Sequence, residues 1–234
     1  MHETEYRTQM IYACLSKAPV QRFASVLDLG CADGSILKAV ARKVGAEKAE
    51  GLDLKAANSA GDSITIRRGD LLQFKPETTY ELVVSNQVFE HIYEPWLPQY
   101  FHVLKQSCSA NGIILISTPN RWRPKNIVRF LTLRRPYMMQ PNPGIPPERH
   151  LGHHRECSFR DLRAILREYF CEPEWTTEIL SLTPRMTDSR LRWIANLLVY
   201  FGGWFLWRPL FVSASQDHYA IIRHNGRHSY GTSR

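Results

Sequence analysis

The chain has 234 residues, 44% of them hydrophobic, which suffices for a single α/β domain with its own core. Lys and Arg exceed Asp and Glu by 30 to 22, which gives a net charge of +8 and suggests an anionic partner or surface. The five cysteines are scattered without a C-x-x-C pair, and residues 1–17 hold no apolar run. These features argue against a disulfide framework, a cysteine zinc site and a signal peptide, so we expect a cytoplasmic protein.

The first predicted element is an amphipathic helix over residues 3–17, with Met10, Ile11, Cys14 and Leu15 on one side. Residues 26–35 follow, as a strand, a glycine turn and the start of a helix. The turn has small residues at Gly30, Ala32 and Gly34, and Asp28 precedes it by two positions. Glycines let the backbone approach a ligand, and the helix N-terminus favours an anion or nucleotide there. An ordinary strand-to-helix turn is the alternative.

Further along the chain, apolar strands alternate with helices. Strands are predicted over residues 49–54, 64–66, 81–85 and 113–117, with a very short helix in residues 55–62 and a longer one over residues 96–108. Strands this continuously apolar indicate a parallel sheet covered on both faces. Polar residues mark the carboxyl ends of four strands, where ligands of such sheets bind: Asp28, Asp53, Asp70 and Asn86.

Over residues 25–180 this pattern resembles the class I S-adenosylmethionine (SAM)-dependent methyltransferases. The resemblance implies a Rossmann-like, seven-stranded, mostly parallel sheet, with an antiparallel last strand over residues 216–224 beside residues 174–180. SAM is the implied cofactor, with Asp53 accepting from the ribose hydroxyls and Asp70 from the adenine amino group. The first helix would then either cover the cofactor or pack on the sheet. The implied cofactor-binding residues are Asp28, Gly30, Cys31, Asp33, Gly34, Asp53, Leu54, Asp70, Leu71, Asn86 and Gln87.

Two segments are most similar to the branch containing the ubiquinone-biosynthesis O-methyltransferases, residues 86–92 and 117–121. That likeness implies methylation of a hydroxyl on a small-molecule, lipid-linked or glycan acceptor, with a histidine as base. The candidate bases are His154, His153 and His91, in that order. The ubiquinone enzymes carry a carboxylate where this chain has Gln87, so no bound metal is predicted beside Glu90 and His91. A metal site at the cluster of His150, His153 and His154 lacks a completing ligand.

Two insertions interrupt the predicted domain, which spans residues 1–234. Residues 119–157 are proline-rich and basic, contain a short predicted helix at 126–133, and are expected to cover the acceptor site. Residues 185–214 are apolar and rich in tryptophan. Peripheral contact with the inner face of a membrane is predicted through residues 126–135 and 193–212, with a homodimer contact or local core as alternatives for the latter. Residues 225–234 are predicted to be a loose tail.

Two other functions stay open at this stage. An RNA or other nucleic-acid methyltransferase would use the basic patch of residues 121–147, which contain six Lys and Arg and no acid. The turn after the fourth strand, however, is Ser85-Asn86-Gln87-Val88 and lacks the [N/D]-P-P-[Y/F] motif of the amino-group DNA enzymes. No RNA-binding fingerprint accompanies the basic residues. A partner subunit without catalytic activity would not need the intact Asp28, Gly30, Gly34 and Asp53.

Overall fold

The structure is a computed structural model that describes residues 3–61, 63–123, 126, 129, 132, 152–171, 173–181 and 217–226. The predicted segments 185–214 and 193–212, His150, most of 126–135 and residues 227–234 lie outside the described residues. The helices are α1 (Glu3–Leu15), α2 (Ser35–Val44), α3 (Leu97–Ser107) and α4 (Phe159–Tyr169). The strands are β1 (Ser25–Leu29), β2 (Lys48–Asp53), β3 (Ser59–Ala60), β4 (Ile64–Arg68), β5 (Tyr80–Asn86), β6 (Cys108–Pro119), β7 (Trp175–Ser181) and β8 (Asp217–His224).

These strands form one Rossmann-like sheet in the order β3-β4-β2-β1-β5-β6-β8-β7. The pairs among β4, β2, β1, β5 and β6 are parallel, and β8 runs antiparallel to both β6 and β7. The mostly parallel sheet with an antiparallel last strand is therefore confirmed. The strand order reverses beside β1, so the carboxyl ends of β1 and β5 open a crevice there.

The sheet has one more strand than predicted, and the expected short helix in residues 55–62 is wrong. The described residues of that stretch form a turn and the two-residue β3, which pairs antiparallel with β4. The Arg68 backbone N–H donates to Asn58 Oδ1 at 2.7 Å, and the Gly61 N–H donates to the Ile64 carbonyl at 2.9 Å. These bonds fold the chain back on β4, leaving too few residues for a helix.

The apolar residues of the strands divide between two cores, one on each face of the sheet. Along β6, Ile113 and Leu115 pack on the side of α1 and α2, whereas Ile114 and Ile116 pack on the side of α3 and α4. Each of these four side chains is at most 2% exposed. The period of two in a strand produces this division, so the near-continuous apolar sequence reflects burial on both faces.

The helix ends follow their sequence signals. At the start of α4, Ser158 Oγ accepts from the Asp161 backbone N–H, and the Asp161 carboxylate accepts from the Ser158 N–H, which forms a capping box. Gly45 ends α2 in the left-handed conformation at φ 72°. No helix in the described part of the chain is long and apolar enough to cross a membrane.

The two ends of the insertion at residues 119–157 meet at the carboxyl end of β6. Asn120 and Cys157 form a parallel bridge, and the Arg121 N–H donates to the Cys157 carbonyl at 3.0 Å. The carboxylate of Glu156, which is fully buried, accepts hydrogen bonds from the side chains of Arg123 and Asn126. We call this contact region, where Asn120, Arg121, Arg123 and Asn126 meet Glu156 and Cys157, the neck of the insertion. It fixes residues 152–157 against the sheet edge where ligands of α/β sheets bind.

Candidate active site

A cavity of about 470 Å³ lies at the carboxyl ends of β1, β2, β4 and β5. Its lining combines acids, two basic residues, a histidine and several apolar side chains. These residues are Arg7, Gly30, Ala32, Asp53, Leu54, Lys55, Gly69, Asp70, Leu71, Leu72, Asn86, Gln87, Val88, His91, Ile92 and Trp96. An apolar pocket with a few convergent polar groups is typical of a small-molecule site.

The glycine turn after β1 forms the floor of this cavity. Gly30 has φ 88°, and a Cβ placed on it would lie 2.2 Å from Val88 Cγ2, so no other residue fits. Gly34 has φ 73°, and a Cβ there would lie 2.2 Å from Ile66 Cδ1. Ala32, between them, also adopts a positive φ of 50°. A left-handed alanine costs about 1–2 kcal/mol, which the surrounding turn must supply.

Two acids at strand ends hold the cavity wall through backbone hydrogen bonds. Asp53 accepts from the Ala32 N–H at 3.1 Å through Oδ2 and from the Lys55 N–H at 2.7 Å through Oδ1. Asp70 Oδ1 accepts from the Leu72 N–H at 2.9 Å and caps the 3-10 turn Leu71–Gln73. Each carboxylate oxygen has more than one acceptor position, so both acids retain capacity to accept from a ligand.

Asp28 lies behind the turn and is 2% exposed. Its Oδ1 accepts no hydrogen bond from the residues that the structure describes. Burial, with a smaller contribution from the Asp53 charge, raises the pKa of Asp28 to about 7. A buried carboxylate without a donor is costly, and a cationic or hydrogen-bond-donating ligand group would offset that cost.

The turn after β5 also contains a residue with a strained, left-handed backbone beside the cavity. Gln87 has φ 58°, and its N–H donates to the Ser117 carbonyl at 3.0 Å and to Ser117 Oγ at 3.1 Å. The Ser117 hydroxyl donates to Asn86 Oδ1 at 2.6 Å. The end of β6 therefore holds Asn86 and Gln87 at the cavity. Strained residues held by their surroundings cluster at ligand sites.

The structure brings seven of the eleven predicted cofactor residues to the cavity lining. These are Gly30, Asp53, Leu54, Asp70, Leu71, Asn86 and Gln87. Asp28, Cys31, Asp33 and Gly34 lie outside the lining. Cys31 is 4% exposed and faces the core, and Asp33 is exposed, with Oδ1 accepting from the N–H and hydroxyl of Ser35. The predicted cofactor contacts of Cys31 and Asp33 stay predictions.

Sequence reasoning missed several lining residues. Arg7 comes from α1, so this helix covers the cavity edge as well as packing on α2. Trp96 is 38% exposed, and with Ile92 and Val88 it supplies apolar surface on the side of β5. An exposed tryptophan close after a strand end was the available signal, because large exposed apolar side chains often mark ligand sites.

The candidate bases cluster beside the cavity. His91 lines it, and its Nδ1 lies 3.2 Å from the Gly152 carbonyl, which can only accept, so Nδ1 carries the proton. The rings of His91 and His153 meet edge to face at 4.8 Å between centroids. The His154 N–H donates to the Glu90 carbonyl at 2.7 Å, and its ring lies 5.5 Å from that of Tyr93. The neck of the insertion thus places His153 against His91 and His154 beside Tyr93.

Glu90 lies beneath these histidines and is 1% exposed. Its Oε2 accepts no hydrogen bond from the residues that the structure describes. Burial raises the pKa of the Glu90 carboxyl to about 7, against the opposing effects of its own backbone N–H and of His153. One potential ligand atom from each of Glu90, His91 and His153 lies within 4.8 Å of the others. These three side chains could therefore hold a divalent cation.

In a comparison with known protein families, the model of a methyltransferase domain matches residues 4–171 of this chain. The chain belongs to the methyltransferase-domain family. A curated relative, trans-aconitate 2-methyltransferase of Mycobacterium tuberculosis, is 27% identical over 140 residues, 56% of this chain. The match covers 52% of that relative, so this methyltransferase aligns with about half of the relative's length.

Solved methyltransferases share the fold. The methyltransferase domain of bacterial CtHen1 has a TM-score of 0.56 and 15% identity, covering 95% of this chain and 100% of that one. A DhpI–SAH complex has a TM-score of 0.55 and 14% identity, covering 96% of this chain and 89% of that one. The family and its fold support SAM as the cofactor. The glycine floor of the cavity, where the backbone can approach a ligand closely, and the acids Asp53 and Asp70 in its lining fit a nucleoside.

Proposed function

We propose that this methyltransferase transfers a methyl group from SAM to an oxygen atom of a small-molecule, lipid-linked or glycan acceptor. When bound, SAM supplies a methyl group on a positively charged sulfur, which the acceptor oxygen takes by in-line displacement with loss of its proton. The observation that carries the proposal is the group of three histidines beside the SAM cavity, because nitrogen bases near neutral pKa suit proton removal from a hydroxyl.

The residues around the cavity have different roles in the proposed reaction. Asp53 and Asp70 hold the nucleoside by accepting from its hydroxyl and amino groups, and Asp28 lies buried behind the glycine turn. Apolar side chains of Leu54, Ile92 and Trp96 exclude water from the bound nucleoside. His154 takes the proton of a hydroxyl acceptor, and the ring of Tyr93 fixes the orientation of that imidazole.

The curated relatives favour a carboxyl group as the methyl acceptor. Trans-aconitate methyltransferases are compatible with methylation of a carboxyl oxygen, for which no base is needed because the acceptor is already ionised. The resemblance to the ubiquinone branch favours a hydroxyl acceptor instead. A hydroxyl and a carboxyl acceptor would use the same SAM site and would lie beside the same three histidines.

One labelling experiment tests the proposal. The purified chain is incubated with methyl-labelled SAM and a cell extract, and the label is followed into solvent-extractable, low-mass, glycan, RNA and protein fractions. We expect the label on a solvent-extractable, low-mass or glycan product. Alkaline hydrolysis then separates the acceptors, because a methyl ester releases labelled methanol and a methyl ether does not.

Two variants give the controls. Asp53→Ala, at the carboxyl end of β2, should strongly reduce the labelled product at limiting SAM, whereas Glu47→Ala, an exposed acid before the other end of β2, should leave it unchanged. Label recovered in RNA would overturn the acceptor class in favour of a nucleic-acid methyltransferase. Absence of any labelled product, with SAM bound, would favour a partner subunit without activity.

A further inference from the structure

We propose that a cavity between α4 and β7 binds a small phosphate ester, at a site separate from the SAM cavity. Its volume is about 630 Å³, within the range of about 300–1,000 Å³ that is usual for small-molecule sites. Side chains of α4, of the turn that follows it and of β7 line this cavity. None of these described lining residues also lines the SAM cavity, so the two sites are distinct.

One side of α4 forms a wall of this cavity. Phe159, Arg163 and Arg167 follow one another at a spacing of four residues, which places them on the same side of the helix. Leu162 and Leu166, each one position earlier than an arginine, are fully buried and pack into the core. The helical period therefore directs both arginines to the cavity, beside the buried stripe of the helix.

The two arginines give the cavity an excess of positive charge. Arg163 and Arg167 are exposed, and neither forms an ion pair with a residue that the structure describes. The acid in the described lining, Glu178, is already paired, because its Oε2 accepts from Arg223 Nη2 at 3.3 Å. Like charges four residues apart on a helix repel each other, and an anion bound between them would relieve that repulsion.

The charge and shape of the donors select a phosphate group. Each guanidinium is a planar fork of N–H donors that matches phosphate oxygens, and two of them balance the charge of a phosphate monoester, which approaches −2 at neutral pH. A single carboxylate would leave one arginine without a counter-charge. Arg163 and Arg167 lie on adjacent turns of α4, so both can reach one phosphate.

The rest of the lining favours an organic group on the phosphate. Phe159 and Ile179 are half-buried and supply apolar surface on the α4 and β7 sides of the cavity. Burial of an apolar ligand group against these side chains adds to the affinity for the phosphate. We therefore expect an ester such as phenyl phosphate to bind more tightly than inorganic phosphate, and neutral phenol to bind much more weakly than the ester.

Cys171 provides a reporter in the lining of the cavity. It is exposed, whereas the other four cysteines of the chain are buried, so iodoacetamide should alkylate it first. The test combines calorimetric titration of the full chain with phenyl phosphate and mass spectrometry of Cys171 alkylation. We expect one phenyl phosphate per chain and a severalfold slower alkylation of Cys171 when the ligand is bound. Saturating SAH should leave the phenyl phosphate affinity unchanged, and succinate, a dicarboxylate, should bind more weakly.

Variants of α4 separate this site from general surface charge. Arg163→Gln and Arg167→Gln should each weaken phenyl phosphate binding by about tenfold or more, because each removes charged hydrogen bonds to the phosphate. Arg163→Lys keeps the charge but loses the fork, and should give a smaller loss than Arg163→Gln. Arg160→Gln removes an exposed arginine of the same helix that lies outside the described lining, and should change neither the affinity nor the protection of Cys171.

Three results would overturn the proposal. Phenyl phosphate could fail to slow the alkylation of Cys171, SAH could displace it, or Arg160→Gln could weaken its binding as much as Arg163→Gln and Arg167→Gln do. Tighter binding of succinate than of phenyl phosphate would overturn the class of ligand. Because no methyl transfer is measured, failure of the proposed function leaves this result intact.

Discussion

Asp53 Oδ2 accepts a hydrogen bond from the backbone N–H of Ala32 at 3.1 Å, which ties the end of β2 to the turn after β1. The carboxylate that is predicted to bind the ribose therefore also fixes the conformation of the turn beneath the cofactor. Loss of this side chain removes a ligand contact and loosens the floor of the cavity at once.

Asp53→Ala is accordingly expected to weaken SAM binding by about 10- to 100-fold, since a hydrogen bond to a charged group contributes about 1.5–3 kcal/mol. Calorimetric titration with SAM measures the change, and Glu47→Ala serves as the matched acid outside the cavity. Equal affinity in Asp53→Ala and the unmodified chain would remove the ribose assignment.

The left-handed alanine of the turn gives a prediction about stability. Ala32→Gly should raise the free energy of unfolding by up to about 1 kcal/mol, because relief of the left-handed strain exceeds the added entropy of the unfolded chain. Ala39→Gly, inside α2, should lower it by about 1 kcal/mol. Urea unfolding of both variants checks the opposite signs, and a loss of stability in Ala32→Gly would contradict the account of the turn.

The raised pKa of Asp28 predicts a dependence of stability on pH in the absence of SAM. The pKa is about 7 in the folded chain and 3.8 ordinarily, so Asp28 is neutral in both states below about pH 4. Folding then costs progressively more as the pH rises to about 7, by at most about 4 kcal/mol. Asp28→Asn should therefore be increasingly more stable than the unmodified chain between pH 4 and pH 7.

Thermal unfolding of both proteins between pH 4 and pH 7 measures the difference in their free energies of unfolding. Because the two proteins share all other titrating groups, the contributions of those groups cancel in this difference. SAM should narrow the difference at pH 7 by stabilising the unmodified chain more than Asp28→Asn, since a cationic ligand favours the ionised carboxylate. A difference that stays constant with pH would show that Asp28 keeps an ordinary pKa.

His154 is the predicted base for a hydroxyl acceptor. His154→Ala should lower kcat by about 10²- to 10⁴-fold while leaving the SAM dissociation constant unchanged, because the imidazole acts on the acceptor and not on the cofactor. His102→Ala controls for the general loss of a histidine. Unimpaired turnover in His154→Ala, with a product confirmed as a methyl ether, would disqualify this residue.

The sheet, and the convergence of most predicted cofactor residues on one cavity, could be predicted because their signals are local. Asp53 and Asn86 end β2 and β5, Asp70 follows β4, and the carboxyl ends of parallel strands lie at one edge of the sheet. Asp33 carries the same kind of signal, but its side chain is used within the turn by Ser35. An acid within a ligand loop can therefore also stabilise the conformation of the loop itself.

The histidine and glutamate cluster could not be predicted in the same way. His91 and His153 are distant in sequence, and their contact depends on the neck where Asn120 bridges Cys157. Nothing local in the sequence indicates that Glu156 is buried there rather than exposed. Long-range contacts of this kind are set by tertiary packing, which residue patterns do not encode.

The most direct measurement of the central claim is a crystal structure of the chain with SAH bound. We predict that SAH occupies the cavity between the turn after β1 and Trp96, with its ribose hydroxyls on Asp53 and its adenine amino group near Asp70. A second cavity, of about 630 Å³, lies between α4 and β7 and is lined by Arg163, Arg167 and Trp175 among others. SAH found there, or elsewhere away from Asp53 and Asp70, would contradict the account.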